Sequence, residues 1–82
     1  MNFKVCIEQI AAGWAWGSIT KTSGTYVSGY LNVYRNGQLV ETGCNGKWTT
    51  SCGFDAGPGY GSWHSRWHGA GGGGWNSPAI TI

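Results

Sequence analysis

The chain has 82 residues, of which only 10% are charged and 16 are glycine, and its formal net charge at pH 7 is +2. Its six tryptophans, four tyrosines and two phenylalanines exclude a disordered tail, because such tails lack aromatic residues. No apolar run is long enough for a membrane span or a signal-peptide core, and the glycines do not follow a collagen period. We therefore expect one small globular domain over residues 1–82.

The basic side chains are scattered along the chain. They are Lys4, Lys21, Arg35, Lys47 and Arg66. A surface that binds nucleic-acid phosphates needs several basic groups together, so the sequence predicts no nucleic-acid partner. Few lysines and glutamates beside much glycine, serine, threonine and tryptophan favour an extracellular or cell-surface location. The alternative is a cytosolic protein with three reduced thiols.

The first part of the chain shows the residue alternation of β-strands and not the 3.6-residue apolar period of a helix. One strand is predicted at residues 3–9 and a weaker one at 13–22. In the first strand, Phe3, Val5 and Ile7 share one face, and the side chains between them share the other.

The strongest predicted strand covers residues 25–35, where two kinds of side chain alternate. The aliphatic face, which we expect to join the core, carries Val27, Leu31 and Val33. The opposite face carries a row of tyrosines, namely Tyr26, Tyr30 and Tyr34.

A hairpin turn is predicted at Asn36 and Gly37, because Asn-Gly supplies the two positive φ angles of a type I′ turn. The turn sets Arg35 opposite Gln38. The same count gives three further pairs, which are Val33 with Val40, Leu31 with Thr42, and Gly29 with Cys44. This register predicts that Val33 and Val40 join the core and that Tyr34 lies beside Leu39 on the other face.

The second half of the chain predicts further strands at residues 48–54, 60–68 and 78–82, with a turn at 55–59 and a flexible glycine run at 71–74. The second of these strands places Trp63, Ser65 and Trp67 on one face, and we expect the two tryptophans to lie in the core. Its opposite face carries His64, Arg66 and His68.

About seven short strands separated by turn signals predict an all-β fold, a small antiparallel β-sandwich. The segment L-N-V-Y-R-N-G-Q-L-V at 31–40, Cys52, and G-P-G-Y-G-S-W-H at 57–64 resemble the immunoglobulin-like sandwich of small secreted bacterial proteins. The resemblance covers about residues 25–82. It implies an immunoglobulin-like fold and an adhesive or binding role.

Catalytic and metal chemistry find little support in the sequence. His64 and His68 are four residues apart on a predicted edge strand, a span of about 13 Å that is too long for one shared ion. No G-x-S-x-G nucleophile motif is present, and the three carboxylates are widely spaced. We therefore expect no enzymatic activity, no cofactor and no metal site.

The three cysteines allow one disulfide and one remaining thiol. Strand alternation predicts that the side chains of Cys44 and Cys52 both face inward. We therefore predict a disulfide between them, which closes a short loop flanked by glycines. The competing pair is Cys6 with Cys52, which would join an early strand to a late one, as immunoglobulin-like domains often do. With the first pairing, Cys6 is a free thiol or forms an intermolecular bond.

Six tryptophans exceed what a core of this size can hold, so some aromatic rings must lie at the surface. The predicted binding face consists of Tyr26, Tyr30, Tyr34 and Leu39. Exposed aromatic rows stack on sugars or on protein partners, although the same rings can also be covered within the protein or by another subunit. We predict a non-enzymatic, secreted or surface-exposed module that binds a protein, including a second copy of itself. The alternatives are a glycan-binding domain and a small antimicrobial or toxin-like effector.

Overall fold

The computed structural model describes residues 2–82, which form eight β-strands. They are β1 (Asn2–Ala11), β2 (Trp14–Ser23), β3 (Val27–Arg35), β4 (Gln38–Trp48), β5 (Ser51–Ala56), β6 (Ser62–Gly69), β7 (Gly74–Asn76) and β8 (Ile80–Thr81). One sheet has the order β1-β2-β5, and the other has the order β4-β3-β6-β7 with β8 also paired to β6. All pairs are antiparallel. The predicted all-β antiparallel sandwich is confirmed, and the residues described contain no helix long and apolar enough to cross a membrane.

The hydrophobic core lies between the two sheets. Its buried members are Ala15, Ile19, Val27, Leu31, Val33, Cys44, Ala56, Trp63 and Trp67. Phe3, Val5 and Ile7 of β1 pack against it from one side. The two inward tryptophans predicted for β6 are confirmed, and such rings bury about 150–250 Å² each, a large share for a small core.

The hairpin turn between β3 and β4 has the predicted geometry. Asn36 and Gly37 have φ angles of +51° and +79°, and Arg35 pairs with Gln38. The Oδ1 atom of Asn36 also accepts a hydrogen bond from the backbone N–H of Ser62 at 2.9 Å. The turn is therefore held both by its own backbone and by the strand beside it.

The predicted register fails just beyond the turn. Tyr34 pairs with Leu39 as expected, but Val33 pairs with Glu41 because a β-bulge inserts Val40 as an extra residue. A one-residue slip turns later side chains to the opposite face. The expectation that Val40 joins the core is therefore wrong, and its side chain is 36% exposed.

A second bulge in the same strand pair changes the register again. Gly29 pairs with Gly46 and Leu31 with Gly43, so the two pairs predicted from simple counting are wrong here too. Cys44 lies inside this bulge with φ +53°, an uncommon angle for a residue with a side chain. It is nevertheless buried, so its inward direction results from the bulge and not from strand alternation.

The predicted disulfide is confirmed. Cys44 of β4 is bonded to Cys52 of β5, and their Cα atoms are 5.9 Å apart. Since β4 and β5 are edge strands of different sheets, the bond closes one open side of the sandwich. Cys6 is half-buried on β1 and has no disulfide partner within the chain, so the competing pair with Cys52 is not formed.

Strand β6 lies inside its sheet, with β3 on one side and β7 and β8 on the other, so the expectation that its histidines lie on an edge strand is wrong. The sequence also missed β7, which begins at the last glycine of the predicted flexible run. Ser77 fills the gap between β7 and β8. Its Oγ accepts a hydrogen bond from the Ser65 N–H, and its own N–H donates to the Ser65 carbonyl, both at 2.8 Å.

Candidate functional site

The outer face of the five-stranded sheet collects the aromatic and polar side chains of β3 and β6. Across this strand pair Tyr30 lies opposite His68, and Tyr34 lies opposite His64. Paired residues of antiparallel strands project from the same side of a sheet, so the predicted tyrosines and the histidines share one surface. We call the four side chains Tyr30, Tyr34, His64 and His68 the tyrosine–histidine face.

The rings of this face form two cross-strand stacks. Tyr30 and His68 have ring centroids 4.7 Å apart and an interplanar angle of 10°. Tyr34 and His64 have centroids 4.9 Å apart and an angle of 11°. Each stack fixes the orientation of two rings, because rotation of either one would lose the contact.

Asn32 lies between the two stacks and connects them through its amide. Its Oδ1 accepts a hydrogen bond from Thr42 Oγ1 at 2.6 Å, and its Nδ2 donates to the Tyr34 hydroxyl at 3.0 Å. The same nitrogen lies 3.4 Å from His68 Nε2. Asn32 is only 8% exposed although it is on the outer face, so its neighbours cover it. Buried and hydrogen-bonded, the amide holds the stacks at a fixed spacing.

Arg66 supplies the cation of this surface. It lies opposite Asn32 on β6, and its guanidinium extends across β7 over Gly74. A Cβ at position 74 would collide with the guanidinium, so the glycine provides the space for it. The charged group therefore borders the two stacks on the side away from β4.

On its other side the tyrosine–histidine face continues into an exposed apolar side chain of β4. Tyr30 is 39% exposed, and Leu39 beside Tyr34 is 55% exposed. Exposed apolar groups that adjoin one another are characteristic of interaction surfaces.

Tyr26 takes no part in these stacks. It precedes β3, four residues from Tyr30, which corresponds to about 13 Å along a strand. Its ring lies beneath the ammonium of Lys47, with Nζ 4.8 Å from the ring centroid. Of the predicted binding residues, the structure brings together Tyr30, Tyr34 and Leu39.

The histidines and Asn32 are the parts of this site that sequence reasoning missed. Alternation correctly placed His64, Arg66 and His68 on one face of their strand. Nothing in the sequence paired that strand with β3, however, because the two are separated by 26 residues of intervening chain. A prediction of the β3–β6 register would have been enough to find the stacks.

The site is built from two ring stacks with a guanidinium beside them. Each histidine stacks on a different tyrosine, and residues 2–82 contain no group of three or more His, Cys, Asp or Glu side chains that could hold a metal ion. Comparison of the chain with protein-family models, with curated proteins and with solved structures found no match. The surface carries tyrosine and histidine rings, with the Arg66 guanidinium and Leu39 at its sides.

Proposed function

We propose that this chain is a non-enzymatic binding or self-association module and that the tyrosine–histidine face is its binding surface. The observation that carries the proposal is the pair of Tyr–His stacks held at fixed spacing by buried Asn32. Binding to such a surface costs little entropy, because its side chains are already ordered before the partner arrives. The exposed apolar residues beside it enlarge the area that a partner would remove from water.

A protein partner suits this surface better than a glycan. A sugar ring stacks on the open face of an aromatic ring, but in each Tyr–His stack one face of each ring is already covered by the other ring. Arg66 and Leu39 lie at the sides of the stacks, so a partner would meet a cation and an apolar side chain as well as the rings. Aromatic rings and arginine are the residue types enriched at the centre of protein interfaces.

A second copy of the chain is the partner we test first, because two flat sheet faces pack well at about 10 Å. We place the module outside the cytoplasm or at the cell surface. The disulfide between Cys44 and Cys52 supports this location, since such bonds persist in oxidising compartments. The immunoglobulin-like resemblance, and the glycan-binding and toxin-like alternatives, stay predictions.

Sedimentation velocity over a concentration series tests the proposal, with Tyr30→Ala as the variant and Tyr60→Ala as its control. Tyr60 is also exposed but lies in the segment before β6, against Gly13 of the β1–β2 turn. We expect Tyr30→Ala to weaken self-association about tenfold or more, which corresponds to about 1.4 kcal/mol. Tyr60→Ala should associate like the parent chain.

Two outcomes would contradict this reading. If Tyr30→Ala and Tyr60→Ala associate equally, the tyrosine–histidine face is not the contact. If the parent chain is monomeric at all concentrations, self-association is excluded. A titration with soluble oligosaccharides then separates the glycan alternative, because glycan binding that is lost in Tyr30→Ala would assign the same face to a sugar.

A further inference from the structure

A cleft opens at one end of the sandwich, and none of the four side chains of the tyrosine–histidine face lines it. It has a volume of about 440 Å³, which lies within the range of small-molecule sites. The end concerned is the one where β1 and β3 begin and β6 ends. Its walls are formed chiefly by Phe3, Tyr26, Val27, Trp67, Trp75 and the glycine-rich segment 69–72.

The cleft is lined by aromatic rings at two depths. Trp67 is buried at its base, while Tyr26 and Trp75 are 41% and 45% exposed. Phe3 meets Trp75 edge-to-face with centroids 5.0 Å apart, so the two rings brace each other. An apolar group entering here would leave water and contact ring surface on several sides.

One wall of the cleft is formed by backbone rather than by side chains. The segment 69–72 forms a tight turn in which the Gly72 N–H donates to the Gly69 carbonyl at 3.0 Å. It is anchored to β3 by the Ala70 N–H, which donates to the Ser28 carbonyl at 2.9 Å. A Cβ built on Gly71 would meet no atom within 4 Å, so open space lies beside this residue.

Charge is distributed unevenly between the two ends of the molecule. The strand segments at the cleft end carry three lysines, which are Lys4, Lys21 and Lys47. The three carboxylates, Glu8, Glu41 and Asp55, all lie in the half of their strands nearer the opposite end. This end of the molecule is therefore more positive than the other, and the Lys47 ammonium lies over the ring of Tyr26, which lines the cleft.

We propose that this cleft binds a single-chain anionic amphiphile. The apolar chain lies against Trp67, Trp75 and Phe3, and the anionic head group lies at the mouth beside Lys47. The occupant is one dissolved molecule and not a bilayer surface, because the ring-lined space is concave and of small-molecule size. This site is separate from the tyrosine–histidine face and does not depend on the function proposed for that face.

Titrations with decanoate and with decan-1-ol, followed by tryptophan fluorescence and isothermal calorimetry, test the proposal. We expect saturable binding of decanoate, weaker binding of decanol, and a loss of the difference between them at high salt. Lys47→Gln should weaken decanoate binding about three- to tenfold without changing decanol binding, and Lys47→Arg should keep the parent affinity.

Trp75→Ala tests the cleft itself, because it removes a partly exposed ring that lines the cleft. We expect this variant to stay folded in thermal unfolding and to bind both ligands at least tenfold more weakly. Trp14→Ala, which removes an exposed tryptophan at the opposite end, and Tyr30→Ala, on the tyrosine–histidine face, should bind decanoate like the parent chain.

Four results would overturn the proposal. The first is the absence of saturable decanoate binding, and the second is full binding by Trp75→Ala. The third is binding to vesicles of anionic lipid without binding to dissolved decanoate, which would assign this end to a membrane surface instead. The fourth is equal affinity of the parent chain and Lys47→Gln for decanoate, which would contradict an anionic head group beside Lys47.

Discussion

The hydroxyl of Ser65 donates a hydrogen bond to the backbone carbonyl of Cys6 across the space between the two sheets, with 2.8 Å between the oxygen atoms. Ser65 is fully buried on β6, inside one sheet, whereas Cys6 is on β1, an edge strand of the other. Edge strands carry backbone groups that have no strand partner. The hydroxyl of a buried serine on one sheet thus supplies a hydrogen-bond donor to a backbone carbonyl on the edge strand of the other sheet.

Ser65→Ala should therefore lower the free energy of unfolding by about 1–3 kcal/mol, because the Cys6 carbonyl would lose its donor within the sandwich. Ser62→Ala is the control, since Ser62 is an exposed residue of the same strand and should change stability by no more than about 0.5 kcal/mol. Urea denaturation of both variants measures the difference. Equal midpoints would show that this bond contributes nothing.

Gly17 on β2 lies directly against side chains of the other sheet. A Cβ at this position would lie 2.5 Å from Val33 Cγ2 and 2.7 Å from Ser65 Oγ. Gly17→Ala should cost about 1–3 kcal/mol through overpacking, as expected for an atom added to a filled core. Gly71→Ala, where a Cβ meets nothing, is the matched control. A neutral Gly17→Ala in thermal unfolding would show that the sheets can move apart freely.

The hairpin turn makes a separate prediction. Asn36 and Gly37 both have positive φ angles, which alanine resists, so Asn36→Ala and Gly37→Ala should each cost about 1 kcal/mol or more. Asn36→Ala also removes the acceptor of the Ser62 N–H. Gln38→Ala, at the exposed start of β4, serves as the reference. If both turn variants have the same melting temperature as Gln38→Ala, the type I′ assignment is wrong.

The two tyrosines of the binding face should differ in their effect on folding. Tyr34→Phe removes the acceptor of the buried Asn32 amide and should cost about 0.5–1.5 kcal/mol. Tyr30→Phe should be nearly neutral, because the Tyr30 hydroxyl makes no hydrogen bond to any residue in 2–82. Guanidinium denaturation of the pair measures the difference, and identical stabilities would contradict the role assigned to Asn32.

The disulfide closes a short loop, since Cys44 and Cys52 are 8 positions apart. By loop-closure entropy, reduction should cost about 2–3 kcal/mol. The measurement compares oxidised and reduced protein in a Cys6→Ser background, which prevents exchange with the third thiol. Unchanged stability on reduction would indicate that the turn between β4 and β5 already holds the two strands together.

Local features of this fold were readable from the sequence. The alternation in β1, β3 and β6 predicted which side chains face inward, including Trp63 and Trp67, because strand geometry sends successive residues to opposite faces. The Asn-Gly turn predicted the hairpin because positive φ is an intrinsic preference of these residues. The Cys44–Cys52 pair followed from short separation in the chain.

Only the tertiary structure decided where the strands shift against one another and which distant strands meet. Gly43 lies against the ring of Phe54 in the other sheet, where a Cβ would be only 2.8 Å away. The bulges on either side of Gly43 shift the register, and the second one turns Cys44 inward. The pairing of β3 with β6 set the tyrosines against the histidines, and the ends of β1, β3 and β6 met to form the cleft. Register depends on how whole side chains fill the space between two sheets, and this packing is a property of the assembled molecule rather than of any neighbouring residues in the chain.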